Sequence, residues 1–278
     1  MKLKKQIGGW LQLAISVAVL AAGPLTCQGA LDDCVNLPFY ESFESYGVDV
    51  VDPGPWTYLS DGVTAKVSND NPNAWWPRSG YKSLYVEGAP SWARTEYVKL
   101  CSVPQKVSYE TSVHIPVGSD GNVQVGFMYW DPVYPNQIPF ANKFRFQPTG
   151  DNTGGVWWRG NDQEDPRVLL AEYDLTVNDA FRVRAEIDFA NETADVFVFF
   201  VNEGEWHYKF GVEATSNPFM YRGVEWITPD QFGVGAGGMS DEDWQNVGVY
   251  IDDVVITPEP GTLLLLGLGG LVLRRRRR

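Results

Sequence analysis

Apolar and polar residues alternate with a period of two along most of this chain. In residues 106–115 the odd-numbered positions are Val, Tyr, Thr, Val and Ile, and the even-numbered positions are polar. Residues 181–189 repeat the pattern, with Phe, Val, Ala, Ile and Phe alternating with two arginines, a glutamate and an aspartate. This alternation is typical of β-strands in antiparallel sheets that have one face buried and one face in water.

Further short segments have strand character and are separated by turns rich in Gly, Pro, Asn and Asp. They are residues 38–44, 62–68, 82–88, 93–100, 122–130, 142–147, 154–160, 194–202, 205–210, 231–237 and 247–256. No segment between residues 31 and 257 has the 3.6-residue apolar period of an amphipathic helix. Many short strands at near-regular spacing predict an all-β sandwich, here one domain over residues 31–257.

One hairpin is especially clear in residues 181–210. Two strands meet at a turn near Asn191, and a third strand follows a second turn at Asn202–Gly204. The middle strand is apolar on both faces. We therefore expect it to lie centrally in its sheet, with both sides covered.

The first thirty residues have the features of an export signal. Lys2, Lys4 and Lys5 precede an apolar stretch over residues 10–23, and small residues follow near Ala30. We predict a signal peptide over residues 1–30, flanking the sandwich as a helix. A lipoprotein-type cut before Cys27 is an open alternative.

The last residues, "TPEPGTLLLLGLGGLVLRRRRR", combine a Pro-Glu-Pro motif, an apolar run and five terminal arginines. A helix over residues 262–273 would span about 18 Å against a hydrocarbon core of about 30 Å, so it is a marginal anchor. The arginines favour the cytoplasmic side. Residues 258–278 resemble the PEP-CTERM sorting signal of Gram-negative bacteria. The resemblance implies an exosortase, a membrane transpeptidase, as partner, and export to the cell surface or extracellular matrix with transient inner-membrane anchoring.

Charge and cysteine content narrow the chemistry of residues 31–257. The ends remove three lysines, five arginines and one glutamate from totals of 22 basic and 35 acidic residues, which leaves 14 and 34. This acidic balance disfavours nucleic acid and suits divalent cations. Cys34 and Cys101 remain after export and are predicted to form a disulfide, the alternative being two buried thiols.

The two ends of the sandwich, "FYESFESY" and "GVYIDDVVI", resemble those of concanavalin A-like jelly rolls of the laminin-G and MAM types. The resemblance implies that the first and last strands pair and that acidic residues there bind calcium. It points to Glu44, Asp252 and Asp253 as ligands. The alternative is that Asp252 and Asp253 only place charge at the end of an edge strand.

Tryptophan pairs are the candidates for ligand contact. Trp75–Trp76 lies in a loop-like stretch, and Trp157–Trp158 lies in a strand whose successive residues face opposite sides. Exposed indole rings suit stacking on sugar rings. The alternative is that these residues fill a large core.

Glu186 and Asp188 in "EIDFANE" are a candidate catalytic pair. With Glu192 they resemble the carboxylates of certain β-sandwich endoglucanases, and retaining hydrolysis needs two carboxyls about 5 Å apart. Arg182 and Arg184 share their strand face, so a row of surface ion pairs is the alternative.

Together these features predict an exported surface or matrix protein whose sandwich is non-catalytic and associates with exopolysaccharide. A glycoside hydrolase or polysaccharide lyase on the same fold is one alternative. A purely structural matrix protein is another.

Overall fold

Strands make up all of the regular secondary structure in the residues that the computed structural model describes. Those residues are 34–51, 53–58, 65–69, 80–88, 94–119, 121–128, 140–160, 167–215, 230–237 and 247–258. The strands are β1 Cys34–Val35, β2 Phe39–Glu41, β3 Trp56–Tyr58, β4 Ala65–Ser68, β5 Ser83–Gly88, β6 Arg94–Leu100, β7 Lys106–His114, β8 Asn122–Met128, β9 Phe140–Gly150, β10 Thr153–Arg159, β11 Val168–Asp174, β12 Ala180–Asp188, β13 Thr193–Phe200, β14 Glu205–Glu213, β15 Gln231–Gly237 and β16 Val247–Pro258.

The strands form two sheets. Sheet A has the order β1-β6-β15-β8-β9-β10-β11, with β3 also paired to β6. Sheet B has the order β14-β13-β12-β7-β16-β5-β4, with β2 also paired to β16. Neighbours are antiparallel except for β1 and β6, which are parallel. The pairing of β2, the strand in "FYESFESY", with β16 is the contact between the two ends of the sandwich that the jelly-roll resemblance implies.

The core consists of the alternate residues that both sheets turn inward. Tyr109 of sheet B lies among three rings of sheet A, with centroid distances of 5.7 Å to Phe127, 6.0 Å to Phe144 and 5.0 Å to Phe232. All four side chains are fully buried. Burying each large apolar side chain contributes about 1.5–3 kcal/mol, so the period-two pattern is the main source of stability. The prediction of an all-β sandwich is confirmed.

Three strands have no counterpart among the predicted segments. β1 and β3 are only two and three residues long. β11 is longer, but its alternation is interrupted, because Leu170 and Ala171 are both buried while Leu169 is 37% exposed. The register of β11 against β10 shifts at Val156 and Trp157, and this bulge breaks the period on which the prediction depended.

Cys34 and Cys101 are joined by the predicted disulfide, with their Cα atoms 4.9 Å apart. The bridge fastens the two-residue strand β1 beside the end of β6. The N–H of Cys101 also donates to the carbonyl of Val35 at 2.9 Å. A single covalent bond therefore supplements a very short ladder at this edge of sheet A.

The predicted signal peptide and the apolar segment 262–273 lie outside the described residues, which belong to a compact unit beginning at Cys34. The described part of the chain contains no helix with the length and hydrophobicity that crossing a bilayer requires.

Candidate functional site

The doubly apolar strand β13 lies next to the edge of sheet B, between β12 and the edge strand β14. The prediction of a central strand with both sides covered is therefore wrong. Its inward residues, Val196 and Val198 among them, are fully buried. Its outward residues Phe197 and Phe199 are half-buried, and they contact aromatic side chains of β14.

These outward side chains form a continuous surface of five rings, called here the aromatic face: Phe197, Phe199, Trp206, Tyr208 and Phe210. Three of them are well exposed, with 49% of Trp206, 56% of Tyr208 and 63% of Phe210 accessible. The ring centroids are 4.9 Å apart for Phe199 and Trp206, 5.1 Å for Tyr208 and Phe210, and 5.8 Å for Phe197 and Phe210.

The hairpin between β13 and β14 produces this surface. Gly204 has a φ of 73°, which glycine adopts without strain, and its N–H donates to the carbonyl of Phe200 at 2.8 Å. The resulting register places Phe199 opposite Trp206 and Phe197 opposite Tyr208. Because side chains alternate along strands, the aromatic residues two apart on β14 fall on one side.

Charged residues continue the aromatic face along β12. The guanidinium carbon of Arg184 lies 5.8 Å from the ring centre of Phe197, within cation–π range. Arg184 is also ion-paired with Glu186. Glu186 lies directly opposite Asp195 of β13, so the ion pair lies on the border between β12 and β13.

A shallow pocket of about 170 Å³ lies beside this border. Its lining residues are Lys106, Glu186, Ile187, Asp188, Thr193, Ala194 and Asp195. Asp195 accepts a hydrogen bond from the N–H of Gly211 at 2.8 Å, which fixes the carboxylate at a bulge between β13 and β14. The aromatic face and the pocket therefore form one surface, apolar in one part and rich in hydrogen-bonding groups in the other.

The catalytic candidates Glu186 and Asp188 lie in this pocket, but their contacts are those of the ion-pair interpretation. Asp188 pairs with Lys106 at 3.1 Å and accepts hydrogen bonds from the N–H groups of Ala190 and Asn191 at 3.0 and 3.1 Å. Burial raises the pKa of Asp188, but the Asn191 side chain, Lys106 and the Asn191 N–H outweigh it, so the pKa lies below the ordinary value. Asp188 is thus an ionised turn cap rather than a proton donor.

Arg182 completes the row of ion pairs through Glu110 on β7. Glu192 lies in the turn after β12, with a φ of 53°. The strand face that suggested hydrolysis is therefore a ladder of paired charges along sheet B.

The predicted calcium ligands are engaged in separate contacts. Glu44 accepts hydrogen bonds from the N–H groups of Tyr81 and Lys82, both at 2.7 Å. Asp253 accepts one from the Tyr40 hydroxyl at 3.1 Å, whereas Asp252 is fully buried. Among the described residues, no three His, Cys, Asp or Glu side chains gather as a metal site. Calcium binding stays a prediction.

The tryptophan candidates differ in their surroundings. Trp158 is 1% exposed, its ring lies 5.3 Å from that of Phe144, and its Nε1–H donates to the carbonyl of Glu213 at 2.8 Å. It is therefore a core residue. Trp157 is half-buried on the outer face of sheet A, with its indole against Gly155. Trp75 and Trp76 lie outside the described residues.

The aromatic face was not predicted, because residues 205–210 were expected only to form a strand. The signal was present in "EWHYKF", where every second residue, Trp206, Tyr208 and Phe210, is a large aromatic residue. Such a pattern on the edge strand of a sheet indicates an exposed aromatic row, whereas on a central strand it would indicate core residues.

Residues 257–278 match the family model of the PEP-CTERM protein-sorting motif. The predicted C-terminal tag is confirmed, and it marks the chain for export and for processing by an exosortase. The protein is thus an exported β-sandwich that carries a sorting tag. The match begins at Thr257, inside β16.

No curated protein matches the sequence of this chain. Solved structures with a similar chain path include a conserved carbohydrate esterase from the Shiga toxin-encoding bacteriophage phi24B, at 12% identity and a TM-score of 0.49, covering 82% of this chain and 98% of the esterase. A PL-14 alginate lyase from Aplysia kurodai has 10% identity and a TM-score of 0.45, with coverage of 70% and 87%. The botulinum neurotoxin serotype C1 binding domain has 12% identity and a TM-score of 0.44, covering 84% of this chain and 51% of that domain.

Proposed function

We propose that this protein binds extracellular polysaccharide through the aromatic face of sheet B. One observation carries the proposal: five rings connected by neighbouring ring contacts lie on two adjacent strands, and three of them are about half exposed or more. Contiguous exposed apolar surface is unfavourable in water, and on soluble proteins such patches mark interaction sites.

The chemistry of the surface suits a sugar chain. A pyranose ring has an apolar face of C–H groups, which aromatic rings cover, and a rim of hydroxyl groups, which need hydrogen-bonding partners. The aromatic face supplies the rings that would cover the C–H groups. The adjoining pocket supplies hydrogen-bonding partners for the hydroxyl groups through Lys106, Glu186, Thr193 and Asp195.

The sorting tag and the rigidity of the site also support this assignment. Export delivers the domain to the compartment that contains extracellular polymers. The rings lie on paired strands rather than on loops, so little conformational entropy is lost when a ligand orders them. The ion-paired state of Glu186 and Asp188 favours binding over hydrolysis.

We expect the Trp206→Ala variant to lose affinity for polysaccharide by about 10-fold or more, because exposed aromatic anchors carry much of the free energy at such sites. Affinity electrophoresis in gels containing the extracellular polysaccharide of the producing cells measures the effect.

The matched control is Tyr81→Ala, since Tyr81 is 83% exposed and does not belong to the aromatic face. Its affinity should equal that of the wild-type protein. Equal affinity of the Trp206→Ala and wild-type proteins would remove the aromatic face from the site. Absence of any polysaccharide binding in the wild-type protein would favour the purely structural alternative.

A further inference from the structure

The sorting tag and the last strand of the domain share residues. β16 ends at Pro258, and the tag begins at Thr257. Thr257 pairs with Ser108 of β7, and Pro258 pairs with Val107. The first Pro of the Pro-Glu-Pro motif is therefore part of an interior strand of sheet B.

Side-chain contacts hold this strand end in place. The hydroxyl oxygens of Thr257 and Ser108 are 2.8 Å apart and share a hydrogen bond. Val107, opposite Pro258, is 1% exposed, and Ile256, the residue before Thr257, is fully buried. Ile256 also pairs with Phe39 of β2, whereas the register of β2 does not extend to Thr257 and Pro258.

Little chain separates this strand end from the apolar part of the tag. Only residues 259–261 lie between Pro258 and the apolar run that begins at Thr262. Three residues span at most about 10 Å when fully extended. An enzyme that binds the tag at a membrane must therefore come close to the end of the folded sandwich.

We propose that the sorting enzyme reads the tag only after Thr257 and Pro258 have separated from β7. Enzymes that recognise an extended peptide use the same main-chain and side-chain groups that a sheet neighbour occupies, so β7 and the enzyme compete for this segment. Ile256, held by β2, β7 and the core, is the residue at which the separation stops.

This separation is a local opening, not an unfolding of the domain. Strand ends open at lower free energy than core strands, because few buried contacts are lost. When opening and closing are fast, the rate of processing follows the equilibrium population of the open end. The fold therefore sets how quickly the tag is processed, and this holds whether or not the domain binds polysaccharide.

The test inserts a six-residue Gly-Ser spacer between Ile256 and Thr257 of the full-length protein. The motif stays whole, but it no longer lies in the sheet. In pulse-chase experiments in the producing cells, with the intact mass of the protein as readout, we expect the spacer variant to be processed several-fold faster than the wild-type protein. The same spacer after Asp151, in the exposed β9–β10 turn of sheet A, is the control and should leave the rate unchanged.

A second variant tests the hydrogen bond directly. Ser108→Ala removes the contact to Thr257, and a hydrogen bond of ordinary strength corresponds to a rate increase of about 2- to 10-fold. That increase should vanish when the spacer is also present, since the motif is then free of β7. Processing of the spacer variant at or below the wild-type rate would overturn the proposal, and so would an effect of Ser108→Ala that persists beside the spacer.

Discussion

Replacement of both Cys34 and Cys101 by serine is expected to lower the free energy of unfolding by about 4 kcal/mol, the chain-entropy value for a closed loop of this length. The disulfide closes a loop with a sequence separation of 67 residues. Strand β1 has only two residues and pairs with β6 alone, so few other contacts hold this segment. Because Cys34 is half-buried and Cys101 is exposed, serine leaves no cavity at Cys101 and little unfilled space at Cys34.

Urea unfolding of the variant and of the wild-type protein measures this difference. The wild-type protein with its disulfide reduced is the internal control and should lose the same amount of stability as the variant. A loss below about 1 kcal/mol in both would mean that the unfolded chain gains little freedom when the loop is opened, contrary to the loop-closure argument.

Replacing Phe181 with alanine is expected to cost about 3–5 kcal/mol of stability, the range for removing a buried ring from a packed core. Phe181 is fully buried where the two sheets meet. Its ring centre lies 5.0 Å from that of Phe146 in sheet A, 5.6 Å from Tyr173 in sheet A and 5.2 Å from Phe200 in sheet B. The variant would leave a cavity bordered by rings of both sheets.

The matched comparison is Phe199→Ala, two strand positions from Phe197 on the aromatic face. Phe199 is half-buried and contacts Trp206, so its removal opens no cavity between the sheets. We expect it to cost less than about 1.5 kcal/mol, since partial burial of one side chain contributes less than full burial. Similar losses in the two variants would show that the aromatic face belongs to the core.

The sandwich could be predicted from the sequence because its signal is local. Each strand carries its own alternation, and Gly, Pro, Asn and Asp mark most of the turns. β11 was not predicted because a bulge places Leu170 and Ala171 in the interior together. A prediction that assumes a fixed period of two cannot indicate such a shift in register.

The position of β13 could not be predicted for a different reason. A strand with apolar residues on both faces has the same sequence whether a second layer covers it or whether outward rings meet the rings of a neighbouring strand. Phe197 and Phe199 contact rings of the neighbouring strand β14. Strand order in a sheet is set by contacts between residues that are distant in the chain. The exposure of the aromatic rings depends on the position of β14 at the edge of sheet B, and no local pattern indicates that position.

Local chemistry also resolved two ambiguous motifs. Successive residues face opposite sides of a strand, so one residue of the Trp157–Trp158 pair was expected to face outward, but the sequence did not indicate which one. Asp188 resembled a catalytic carboxylate, yet the following "FANE" provides the N–H groups and amide that it caps. An Asp just before a tight turn is explained by the turn alone.

Hydroxyl-radical footprinting of the wild-type protein, with and without bound extracellular polysaccharide, tests most directly whether the aromatic face is the polysaccharide site. The bound polymer should protect Trp206, Tyr208 and Phe210 from oxidation. Tyr81, which is 83% exposed and lies outside the aromatic face, should react equally in both samples. Polysaccharide that binds while these three rings stay as reactive as in the unbound protein would contradict the assignment.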